Sequence, residues 1–121
     1  MPVNDVTGEP SVSENGELAS DHWSIERVEL ADRTRLIARG ELDAATAMDV
    51  HNGIAETTEG DIELDLSEVS FIDSSGLAAV IEGHLRLAVQ QRRLIIVGRS
   101  SVVDRVLELS GVAGRLDFGS P

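Results

Sequence analysis

Residues 61–77 read DIELDLSEVSFIDSSGL, and the order of residue types in that run decides the fold. Ile62, Leu64 and Leu66 alternate with Glu63 and Asp65, the period-two pattern of a strand with one apolar face. The stretch SEVSFID then leads as a short turn into Ser74-Ser75-Gly76. Beyond it the spacing becomes that of a helix reaching about Gln91, with Leu77, Ile81, Leu85 and Ala88 as the expected buried stripe. Ser74 therefore falls at or beside a helix N-terminus, where free backbone N–H groups and the positive end of the dipole concentrate. Ser is favoured at such a position for structural reasons alone, and Gly76 permits close backbone approach.

The flanking segments complete a β-β-α-β-α-β-α-β order. His22 to Leu30 alternates around Trp23, Ile25 and Val28, and Arg35 to Arg39 follows as a second strand after Ala31-Asp32-Arg33, so the pair predicts a hairpin ended by Gly40. Ala47, Val50 and Ile54 form a helical stripe behind Asp43, which is placed to cap it, and Gly60 closes that segment. Arg93 to Val97 reads as a buried strand. Ser100 or Ser101 caps a third helix with Val103, Val106 and Leu107 inward and Gly111 as its stop, and Arg115 to Phe118 ends the chain as a short strand. The expected fold is α/β: a mixed four- to five-stranded sheet with an antiparallel start, parallel later strands and helices mainly on one face.

The 121 residues, 41% hydrophobic, suffice for one domain with one core. Residues 1–20 hold two of the three Pro, four acids, no Arg and few large apolar groups. They are expected to form a flexible acidic N-terminal tail, with the folded domain over 21–119. Ten basic residues, all Arg, face twenty-two acids, a net charge of −12. Such a chain is a poor direct partner for nucleic acid or an anionic membrane. The acids crowd residues 22–81, with thirteen acids against four Arg, whereas residues 82–121 carry four acids and six Arg. Without Lys there is no Walker-A loop, protein-kinase site or Schiff base, and without Cys no disulfide, thiolate nucleophile or Cys-based zinc site. No apolar run approaches the roughly 18 residues of a membrane span, and Met1 to Gly16 lacks the basic start and apolar centre of a signal peptide. The expected location is cytoplasmic, without membrane insertion.

The run DLSEVSFIDSSGLAAV resembles the signature of STAS domains, specifically of anti-sigma factor antagonists. Gly40-Glu41-Leu42-Asp43 followed by Thr46 is similar to the family's GELD element before its first helix. Leu109-Ser110-Gly111-Val112 with Leu116-Asp117-Phe118 is similar to its closing segment. Three elements in order cover about residues 22–119. The resemblance implies a single STAS domain that binds an anti-sigma factor with serine kinase activity and so frees a sigma factor. It implies that Ser74, with Ser75 as the alternative, is the phosphorylated residue that switches binding off, and that a PP2C-type phosphatase restores the active form. Asp43, Thr46, Asp73, Ser74, Ser75 and Gly76 then belong to the partner-binding surface. Val80, Gly83 and Leu87 lie on a stripe offset from the expected core face. If exposed, Val80 and Leu87 extend that surface as an apolar patch; if buried, they are a second core contact. No cofactor, metal or catalytic residue is expected. Other members of the family serve as subunits of lipid-transport ABC complexes or of stress-sensing assemblies, and the serine pair and small size favour the phospho-switch over both.

Rival chemistries fare worse. A serine hydrolase needs an oriented base, and D-S-S-G is not the G-x-S-x-G elbow; His84 sits about 15 Å down the same helix and nothing requires His51 to approach. A response regulator needs a Lys that this chain lacks. Asp61, Glu63 and Asp65 alternate as a solvated strand face rather than a metal site. Nucleotide binding has no Gly-rich phosphate loop to support it.

Overall fold

The computed structural model describes residues 23–120. The expectations for the N-terminal tail, for His22 and for the domain start at Asp21 lie outside the described residues. Strand β1 (Trp23–Glu29) turns back into β2 (Arg33–Leu42), with the Leu30 N–H donating to the Arg33 carbonyl at 2.8 Å. Helix α1 (Ala47–Ala55), β3 (Asp61–Ile72), α2 (Ser74–Val89), β4 (Leu94–Arg99), α3 (Ser101–Ser110), a 3-10 turn over Ala113–Arg115 and β5 (Asp117–Phe118) follow. The sheet order is β1-β2-β3-β4-β5, antiparallel in its first pair and parallel in the other three. The mixed five-stranded sheet and the expected element order are both present.

Period-two alternation sorts the sheet's faces. Leu36 and Ala38 of β2, Ile62, Leu64 and Leu66 of β3, and Leu94 and Ile96 of β4 join buried residues of all three helices in one apolar cluster. On β2 and β3 most of the alternate positions carry charge, whereas those of β4, Ile95 and Val97, are apolar and buried. The Glu63 carboxylate, itself buried, lies 2.7 Å from Arg35 Nη2 and 3.3 Å from Arg33 Nη1. Arg39 reaches Glu26 at 2.9 Å and Glu68 at 3.3 Å. A hydrogen bond to Asp32 holds the Arg33 guanidinium above its ordinary pKa, and one to Glu26 does the same for Arg39. Glu63 is thus an ion-pair centre of the sheet, and Asp65 is occupied by the Ser67 N–H at 2.9 Å.

Three boundaries differ from the sequence reading. Gly40 does not end β2: it adopts φ 106° at a register shift, a conformation that favours glycine, and the strand continues to Leu42. The stretch SEVSFI is strand, not turn, so β3 runs six residues past Leu66. Each of two register shifts against β2 sets an extra residue in β3, so its buried residues there are Leu66, Val69 and Ile72, three apart rather than two. Helix α1 begins at Ala47 behind Thr46, and Asp43 lies too far upstream to cap it. At the other end of the chain, Ser100 caps α3 by accepting from the Val103 N–H at 3.2 Å, and Gly111 closes that helix in the left-handed region, as the sequence predicts.

The largest difference concerns α2. Its buried residues are Gly76, Ala79, Val80, Gly83 and Leu87. Leu77 and Ile81 are only half-buried, while Leu85 and Ala88, expected in the core, are exposed. The helix is turned about its axis by nearly half a revolution from the expected setting. The cause is close packing. Gly76 lies against the Leu42 backbone carbonyl, and a Cβ at Gly83 would sit 2.5 Å from Ile54 Cδ1 of α1 and 3.1 Å from Leu94 Cδ2, so the glycine side of α2 is the one that fits close against β2, α1 and β4.

Candidate functional site

The site forms where β3 passes into α2. Asp73 is the last extended residue, at φ −116° and ψ −171°, and caps the helix. Its Oδ1 accepts from the Ser75 N–H at 2.9 Å and the Gly76 N–H at 3.0 Å, satisfying two of the four donors a helix start leaves free. Its backbone carbonyl accepts from Leu77 N–H at 2.9 Å. Ser74 is the first residue of α2 and is exposed, while Ser75 is half-buried. Gly76 is buried against the end of β2.

Leu42 ties this helix start to the preceding loop. Its carbonyl accepts from the Asp73 N–H at 3.3 Å, and its register partner in β3 is Ile72. The loop after Leu42 is locked by its own side chains. Asp43 Oδ1 accepts from Ala45 N–H at 3.0 Å and Thr46 N–H at 3.3 Å. Thr46 Oγ1 donates to the Glu41 carbonyl at 2.7 Å and accepts from the Asp43 N–H at 2.9 Å. Loop 43–46 is therefore a preformed wall beside the Ser74 end of α2. The Thr46 hydroxyl is spent on holding that wall, and Thr46 shapes the site through it.

The structure brings Asp43, Thr46, Asp73, Ser74, Ser75 and Gly76 to one end of the sheet. It removes Val80 and Leu87 from the surface. Both are 1% exposed and belong to the core cluster, so they cannot form an apolar patch for a partner; the offset stripe is the core contact. The apolar groups that do face outward here are different ones. Met48, in the first turn of α1, is 61% exposed, and Phe71, paired in register with Glu41, is 47% exposed. The sequence held a signal for the correct face of α2. Gly76 and Gly83 are seven residues apart, hence on one side of a helix, and two glycines on one side mark the side that touches other backbone or side chains closely.

The two described imidazoles, His51 and His84, lie away from Ser74. His51 lines a cleft with Ile54, Glu82, Gly83 and Arg86, two turns along α2 from Ser74. His84 Nδ1 is buried without a hydrogen-bond partner, 3.9 Å from Asp117 Oδ2. Among the described residues no helix is long and apolar enough to cross a membrane.

Fold and site together define a small mixed α/β domain that presents an exposed serine at a helix start, framed by a rigid loop. The family profile described as "Mlab, STAS domain" matches residues 26–117. The anti-sigma-B factor antagonist of Listeria monocytogenes is 32% identical over 90 residues, which cover 72% of this chain and 79% of that protein. Its counterpart in Listeria innocua matches equally well. Among solved structures, an anti-sigma factor antagonist from Mycobacterium paratuberculosis superposes with a TM-score of 0.71 at 22% identity, covering 85% of this chain and 89% of that one. SpoIIAA in its unphosphorylated form gives 0.64 at 22% identity, covering 81% and 88%. The phosphorylated form of the Bacillus cell fate determinant SpoIIAA gives 0.61 at 20% identity, covering 81% and 91%. These structural likenesses show the fold. The chain belongs to the STAS-domain family.

Proposed function

We propose that this protein is an anti-sigma factor antagonist whose unphosphorylated form binds an anti-sigma factor with serine kinase activity, and that phosphorylation of Ser74 ends the binding. A PP2C-type phosphatase reverses the mark. The observation that carries this reading is the exposure of Ser74 as the first residue of α2, directly after the capping carboxylate of Asp73. The Listeria relatives, named as anti-sigma-B factor antagonists, support it.

The switch follows from local charge. An exposed hydroxyl at a helix start is open to a kinase and neutral to a docked partner. Phosphate adds about −1.5 to −2 charges there. Asp73 already occupies the N–H groups of Ser75 and Gly76, so those two donors are not open to the new phosphate without displacing the cap. The phosphate must stand outward, beside one carboxylate, where a partner seated on the serine meets both bulk and repulsion. A loss of about 3 kcal/mol in association lowers affinity roughly a hundredfold.

The test uses a purified anti-sigma factor from the organism that carries this chain, with ATP, followed by phosphopeptide mapping and binding titration. Ser74→Ala should bind the anti-sigma factor as wild type does and take up no phosphate, and Ser74→Glu should bind about a hundredfold more weakly. Wild-type affinity in Ser74→Glu refutes the electrostatic switch, and phosphate on Ser75 alone moves the switch to that residue.

A further inference from the structure

Helix α2 is apolar on both sides. Opposite its core face, at 100° per residue, Ser74, Ala78, Ile81, Leu85, Ala88 and Val89 fall within a sector of about 100°. Ala78, Leu85, Ala88 and Val89 are exposed, Leu85 at 57% and Val89 at 85%. Its apolar part runs from Ala78 to Val89, about 17 Å of the helix, with Ser74 one turn beyond its N-terminal end. A surface helix normally turns polar residues to solvent, and an uncovered apolar stripe of this kind marks a contact surface.

We propose that the anti-sigma factor lies along this outer stripe of α2, with an apolar surface against Ala78, Ile81, Leu85 and Val89 and its far end over Ser74. The proposal rests on the reading of Ser74 given above. Continuity favours this occupant: the serine heads the same sector of the same helix, so one partner spans both. Charge disfavours a second copy of the chain, which would set two bodies of −12 face to face. Exposed Glu82 borders the stripe, so the covering surface carries a cation there. The arrangement also explains how one phosphate dislodges a long contact, since a rigid partner cannot seat on the stripe while its end is held off Ser74.

Leu85→Asp and Val89→Asp test the proposal, with Leu109→Asp on α3, 72% exposed, as the control. Each is a surface change, and unchanged melting establishes that it folds. The probe is the purified anti-sigma factor that binds the wild-type chain, titrated by calorimetry, with Ser74→Glu in parallel. Leu85→Asp and Val89→Asp should each lower affinity tenfold or more, and Leu109→Asp should leave it within twofold. Wild-type affinity in both stripe variants, beside weak binding by Ser74→Glu, overturns the proposal and leaves the Ser74 reading standing. A free protein that sediments as a dimer, turned to monomer by the stripe variants without loss of affinity, assigns the stripe to a second copy and also overturns it. If no anti-sigma factor binds wild type, both fall.

Discussion

Replacing Gly76 by Ala tests whether the start of α2 is held by contact with β2. A Cβ at this position would lie 2.4 Å from the Leu42 carbonyl oxygen, 2.7 Å from Leu42 Cγ and 3.0 Å from Ile72 Cγ1. The nearest atom is backbone at the end of a central strand, and it also accepts the Asp73 N–H, so no rotamer change relieves the clash. Either α2 or the end of β2 must shift. Overpacking a tight site costs about 1–3 kcal/mol, and a backbone neighbour places this case near about 3. Ala regains up to about 1 kcal/mol as the better helix former. The net loss of about 2 kcal/mol corresponds to a melting temperature about 8–16 °C lower for a domain of this size. Gly114→Ala is the internal control, since an added Cβ there meets nothing within 4 Å, and it should melt within about 2 °C of wild type. Thermal unfolding followed by far-ultraviolet circular dichroism measures both. A Gly76→Ala protein that melts with wild type would show that the Leu42 contact does not hold the helix start, and with it would go the claim that Ser74 stands in a fixed frame.

Two further comparisons follow from the same geometry. Leu87→Ala should cost about 2–5 kcal/mol in urea unfolding and Leu85→Ala no more than about 0.5, because Leu87 is 1% exposed in the core and Leu85 faces out; equal losses would contradict the orientation of α2. Asp73→Ala should lose about 1 kcal/mol by freeing the Ser75 and Gly76 N–H groups, while Asp73→Asn, which can still accept, should retain most of it; a null effect of Asp73→Ala in the same assay would remove Asp73 as the cap.

What could be read from the sequence was what depends on neighbours along the chain. The helix start at Ser74, the Ser100 cap, the Gly111 stop and the antiparallel pairing of the first two strands rest on interactions spanning a few residues, and each is present, although the second strand runs past Gly40 to Leu42. The second half of β3 was hidden because its register shifts against β2 space the buried Leu66, Val69 and Ile72 by three. That spacing no longer reads as a strand, and the shifts depend on a partner some thirty residues away. Asp43 looked like a cap because its residue type suits one, yet it serves the turn that precedes Thr46.

Helix α2 shows what hydrophobic spacing alone does not decide. A helix with apolar residues on two opposite sides offers two packings half a turn apart, and hydrophobic spacing cannot rank them: Leu77, Ile81, Leu85 and Ala88 make as good a stripe as Val80 and Leu87 do with their small neighbours. Volume breaks the tie. The side with Gly76 and Gly83 can approach Leu42 and Ile54 closely, whereas the side with Leu85 and Val89 would hold the helix away from both. The bulkier side is left outward, at a cost in solubility that a domain with no use for it would avoid by placing polar residues there. That Leu85 and Val89 stand exposed on the outer side of the helix that begins at Ser74 is the physical reason to look for the partner along α2 rather than at the serine alone.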